Sequence, residues 1–139
     1  MKVLLAVDGS PYTKKMLAYL AAHDMLSSTN EYTAFTAQAL LPSQARVALG
    51  EELVKKYYDD ESERVLAPVT KFLSNHGVTP TCVWKIGKPG ELIAKTADEG
   101  KFDLVVMGSH GHGALMNLVV GSVATEVLAS CKNPVLIIR

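Results

Sequence analysis

Apolar positions recur along the chain in short dense runs, separated by longer segments of helical period. Val3–Val7 is almost wholly apolar and ends at Asp8-Gly9-Ser10-Pro11. A run of that length, closed by turn residues, predicts a strand covered on both faces. Ser10 is placed to cap a helix and Pro11 suits its first turn, where a missing N–H costs nothing. Met16, Leu17 and Leu20 then supply a helical apolar face. Tyr32–Leu40 reads as a second strand, Leu41–Gly50 as a loop or turn, and Glu51–Asn75 as a long helix that Pro68 should kink or split. Val78–Trp84 is a third strand, placed near a sheet edge by Pro80. A turn at Gly87–Gly90 opens a helix through Leu92, Ile93 and Ala97, which Gly100 closes. Leu104–Met107 is a fourth strand, a helix spans about Ser122–Ala129, and Val135–Ile138 is the last strand.

Strand and helix therefore alternate four times before a fifth strand. Parallel strands need crossover helices, so the alternation predicts a single α/β domain with one parallel sheet and helices on both faces. The 139 residues suit one domain with a real core. Lys plus Arg equals Asp plus Glu, 14 each, so no basic field exists to hold nucleic acid or an anionic membrane. Asp103 to Glu126 encloses no formal charge, but its glycines, histidines and Asn117 break any membrane-spanning helix. Two cysteines, Cys82 and Cys131, make no disulfide framework and suit a reducing cytoplasm. The apolar run of Met1–Val7 is too short for a signal peptide, so none is expected.

In sheets of this kind ligands bind beyond the carboxyl ends of the strands, where strand order reverses. Two strand ends carry special loops: Asp8-Gly9-Ser10, and Gly108-Ser109-His110-Gly111-His112-Gly113. Thirteen residues after Gly108, Gly121-Ser122 precedes a helix. Glycines let backbone approach an anion closely, and a helix start adds free N–H groups and the positive end of the macrodipole. This arrangement predicts a phosphate seat, although a bare flexible turn has the same composition. Neither GxxxxGK[ST] nor GxGxxG occurs, which argues against a P-loop NTPase and a dinucleotide dehydrogenase. His110 and His112 lack a neighbouring carboxylate or cysteine to complete a zinc set. Asp8 reads equally as a metal-side carboxylate and as a turn former.

The run Gly108-Ser109-His110-Gly111, nine residues, then Gly121-Ser122, resembles the GxxG-x9-G[S/T] signature of the universal stress protein family. Lys2–Ser10, Gly87-Lys88-Pro89 with Ile93, Asp103–Gly108 and Asn133–Ile138 resemble that family in the same order, over essentially the whole chain. The resemblance implies a Rossmann-like three-layer sandwich with strand order 3-2-1-4-5 and four helices. It also implies binding of ATP, with or without Mg²⁺. Carried over residue by residue, Gly108 and Gly111 face ribose and phosphates, while Gly121, Ser122 and Val123 hold phosphates through N–H groups and the Ser122 hydroxyl. Asp8 lies beside the ribose, backbone around Ala39 meets adenine, and Ala6 and Met107 wall the pocket. His110 stands where relatives often carry a basic residue, and on this view would face the phosphates and bind ATP better as it gains charge.

The implied function is a cytoplasmic, nucleotide-dependent stress sensor or regulator. Two alternatives stand beside it: a slow ATPase or phosphotransferase in the same pocket, and a nucleotide-free interaction module. Relatives also pair the last strand across a two-fold axis, which implies a homodimer through Val135–Ile138.

Overall fold

The computed structural model describes residues 1–113 and 117–139. Among them alternate β1 (Lys2–Ala6), α1 (Pro11–Ala22), β2 (Glu31–Gln38), α2 (Ser43–Asn75), β3 (Thr81–Ile86), α3 (Pro89–Glu99), β4 (Leu104–Gly108), α4 (Ser122–Ser130) and β5 (Val135–Ile138). The five strands form one sheet in the order β3-β2-β1-β4-β5. Every pairing is parallel; Ala6, for example, stands beside Phe35 on one side and Met107 on the other.

Successive strand residues face opposite sides, and both sides are covered. Val3, Leu5, Val7 and Val106 pack with Met16, Leu17 and Leu20 of α1 and Val65, Val69 and Leu73 of α2. Leu4, Phe35, Val105 and Met107 pack with Ile93 and Ala97 of α3 and Ala124 and Val127 of α4. Leu4 and Leu5 are adjacent, on opposite faces, and both fully buried. Each such leucine contributes about 1.5–3 kcal/mol relative to exposure. Asn133 fastens the approach to β5: its side-chain NH₂ donates to the carbonyl of Phe102 at 2.7 Å.

Several sequence expectations need correction. Ser43–Leu49 is helical rather than a loop, and the break in α2 falls at Gly50, whose φ of 80° and ψ of 165° leave the helical region. The chain does not split at Pro68, because packing of Val65, Leu66 and Val69 holds that stretch against the sheet. β3 begins at Thr81, three residues later than expected. Val78 lies before it, bonded to Leu73 and buried in the core as a plug rather than a strand residue. β3 is an edge strand, as Pro80 implied. Ser10 occupies the cap position of α1 but makes no side-chain cap bond, and its hydroxyl is buried without a partner among the described residues.

Candidate functional site

Strand order reverses between β1 and β4. The chain leaves β1 toward α1 on one face and leaves β4 toward α4 on the other, so the two loops part and a crevice opens between them. A cleft of about 360 Å³ lies there, within the range of roughly 300–1,000 Å³ usual for small-molecule sites.

Its inner wall is apolar, built from Ala6, Phe35, Ala37, Ile93 and Met107. Phe35 and Ala37 share one face of β2, the face turned toward α3, and Ala39 follows one residue past the end of the strand. The opposite face is satisfied by α2, where the Gln38 amide donates to the Tyr58 carbonyl at 2.7 Å. Alanines at 37 and 39 thus leave room for a flat ligand where larger residues would close the slot. The outer rim carries Asp8, the Gly108–Gly113 loop and the first residues of α4.

Asp8 is held firmly. One carboxylate oxygen, Oδ1, accepts the Ser10 N–H at 2.9 Å and the Thr13 hydroxyl at 3.0 Å. The Thr13 oxygen in turn accepts the Asp8 N–H at 3.1 Å. Asp8 is therefore a turn former, the second of its two sequence readings, while its other oxygen, Oδ2, stays in the cleft against Gly111. A Cβ at position 111 would collide with that oxygen, which explains the glycine by close approach. At 108 an added Cβ would come within 2.8 Å of Tyr12 Cβ.

The seat at α4 is made by backbone. Gly121 donates its N–H to the Ser109 carbonyl at 2.6 Å, and the first helical bond runs from Thr125 back to Gly121. The Thr125 hydroxyl reinforces it at 2.8 Å. Ser122, Val123 and Ala124 precede that bond, so their N–H groups have no intrahelical acceptor and lie at the cleft. Gly121 has φ −72°, so close approach to Ser109, not left-handed geometry, calls for glycine there.

Ala6, Asp8, Ala39, Met107, Gly108, His110, Gly111, Gly121, Ser122 and Val123, the residues singled out from the sequence, all line this cleft. Phe35, Ala37, Thr13 and Ser109 line it too and were not singled out. The alternation of Phe35 and Ala37 along β2, continued by Ala39 just beyond it, carried a usable signal. The Thr13 bond to Asp8 carried none. Arg64, on α2, lies beside Gly9, and its bond to the Glu61 carboxylate holds the guanidinium above its ordinary range. It does not line the cleft.

The universal stress protein family model matches residues 1–139, and the chain belongs to that family. The universal stress protein Slr1230 of Synechocystis sp. is 30% identical over 99% of this chain and 42% of its own length. A universal stress protein of Thermus aquaticus is 30% identical over 99% of this chain and 97% of its own length. The chain spans about half the length of the first curated relatives it matches, 42%, 55% and 52%. Among solved structures, protein MJ0577 of Methanocaldococcus jannaschii aligns with a TM-score of 0.82 and 25% identity, over 99% of this chain and 94% of that one. A universal stress protein in complex with cAMP aligns at TM-score 0.69 and 22% identity, over 100% and 97% of the two chains. One from Arabidopsis thaliana with AMP bound aligns at 0.65 and 17%, over 99% and 90%. At these last two identities the likeness is one of fold.

Proposed function

We propose that the cleft binds an adenine nucleotide, ATP in the first instance, and that the protein acts as a nucleotide-dependent regulator of the stress response. One observation carries this reading: an apolar wall and a helix start whose first N–H groups have no intrahelical acceptor line the same cleft. The slot between Ala6, Ala37 and Met107 would take adenine. Asp8 Oδ2 would accept from ribose hydroxyls. The N–H groups of Ser122 and Val123, the Ser122 hydroxyl and the dipole of α4 would take the phosphates. Family membership and the AMP and cAMP of two neighbouring structures support the ligand class. A Mg²⁺ ion arriving with ATP would find one carboxylate among the described lining residues, Asp8, and would otherwise be held by phosphate oxygens and water.

Binding rather than turnover is the reading the side chains favour. Phosphoryl transfer needs cationic stabilisation of the charge that builds on the transferring group. Among the described residues that line the cleft there is no lysine or arginine. Slow hydrolysis remains the second reading, because Mg²⁺ alone supplies some of that charge. We further propose a homodimer through the β5 edge, where Val135, Leu136 and Ile137 are half-buried; such an edge otherwise invites uncontrolled pairing. An exposed free thiol at Cys82 suits a reducing cytoplasm.

Mass spectrometry of small molecules released from the purified protein, followed by a turnover assay with Mg-ATP, tests the function. An adenine nucleotide with negligible phosphate release is expected. Steady turnover would favour the enzyme. Release of no nucleotide, together with an unchanged Tm in excess ATP, would leave a nucleotide-free interaction module. Light scattering tests the dimer, and a monomer at micromolar concentration would overturn it.

A further inference from the structure

His110 lies between the two halves of the glycine-rich signature and touches both. Its ring Nε2 is 2.7 Å from the Leu118 carbonyl, eight residues onward. A carbonyl only accepts, so Nε2 carries a proton. Nδ1 lies 2.9 Å from the Ser109 hydroxyl and, in the neutral ring, accepts from it. Ser109 is itself fixed: it is 1% exposed, its N–H donates to the Ile138 carbonyl at 2.8 Å, and its carbonyl accepts the Gly121 N–H. The Tyr12 ring packs against the imidazole with centroids 5.1 Å apart. An added Cβ at Gly121 would stand 3.5 Å from the imidazole Cδ2, so the ring also borders the seat's first residue.

Both ring nitrogens are thus spent inside the protein. We propose that His110 is a positioning residue: it clasps the return of the nine-residue spacer to the Gly108–Gly111 loop, and so sets Gly121 and the first N–H groups of α4 for an anion. This inference rests on the nucleotide reading for its purpose, but the clasp exists without a ligand. The bond ties Leu118 to His110 before any ligand arrives, so less order must be imposed at the seat on binding. The spacer length has a physical meaning on this account. It must bring the Leu118 carbonyl to the imidazole and the Gly121 N–H to Ser109 together.

Two measurements on the full chain decide this. In ligand-free protein, His110→Ala should speed amide exchange at Gly121 by about tenfold, the equivalent of one lost hydrogen bond, while Val106 in β4 stays protected. His110→Gln, whose amide keeps a donor for Leu118, should restore exchange to within about threefold of the parent. In ATP titrations His110→Ala should lose about tenfold in affinity, again one bond's worth. Unchanged Gly121 exchange in His110→Ala would overturn the clasp. So would failure of His110→Gln to slow that exchange relative to His110→Ala, which would mean that no donor to Leu118 is needed. If the parent binds no ATP, the nucleotide reading fails, and the exchange result still decides the clasp.

Discussion

Replacing Gly111 with alanine places a methyl group on Asp8 Oδ2, so the carboxylate must move. It cannot move freely, because Oδ1 accepts from the Ser10 N–H and from the Thr13 hydroxyl. Each hydrogen bond to a charged acceptor is worth about 1.5–3 kcal/mol, and Asp8 is only half-buried, so water recovers part of the loss. Losing one of the two bonds therefore costs about 1–2 kcal/mol. For a chain of this size that lowers Tm by roughly 3–8 °C. The decisive assay is a double-mutant cycle by urea denaturation, with Gly111→Ala, Asp8→Ala and both together. Once Asp8 is shortened, the new methyl meets no oxygen, and Gly111→Ala should cost only a few tenths of a kcal/mol. A coupling of about 1–2 kcal/mol is expected between the two positions. Strict additivity would show that Gly111 is glycine for some reason other than Asp8, and the account of the rim would fail.

Three further outcomes follow from the same geometry. Gly50→Ala meets no neighbouring atom, yet its φ of 80° with ψ of 165° suits glycine almost alone. Hydrogen exchange should show loss of protection confined to Ser43–Leu49, at a cost of about 1–3 kcal/mol; uniform loss across the sheet would contradict a local hinge. Leu73→Ala empties a fully buried position under β1 and β2 and should destabilise by about 2–5 kcal/mol in urea, whereas a cost below that range would mean that the site collapses easily. Ser122→Ala should melt like the parent, because Thr125 secures the start of α4 through Gly121, yet lose about 1.5–3 kcal/mol of ATP binding. Parent-like affinity would misplace the phosphate seat.

Much of the fold was legible because strands covered on both faces leave dense apolar runs with glycine and proline at their ends. Val3–Val7, Leu104–Met107 and Val135–Ile138 match β1, β4 and β5 to within one residue at either end. The helix at Ser43–Leu49 was not legible: nearly all its residues face solvent, so no apolar stripe marks it, and Gly50 punctuates it like a loop. Val78 resembles the start of a strand but is apolar for a different reason, as a core plug just after α2, so β3 begins later than the apolar run suggests. Its last residues, Lys85 and Ile86, lie on an edge where periodicity is weak. At the site, the strand-end rule and the glycine spacing led to the cleft. What they could not give was the wiring between distant residues, such as Asp8 with Thr13 or His110 with Leu118. His110 in particular reads as a basic loop residue until its two acceptor and donor partners are seen.

The central claim is that an adenine nucleotide seats its phosphates on the start of α4. Isothermal titration of ATP into the purified protein, with Gly121→Val beside it, tests this most directly. The parent should show one saturable site per chain. The valine adds bulk 3.1 Å from the Ser109 carbonyl, at the residue that opens α4, and should abolish the binding heat while circular dichroism stays that of the parent. Equal ATP binding by the two proteins, or no binding by the parent, would contradict the account.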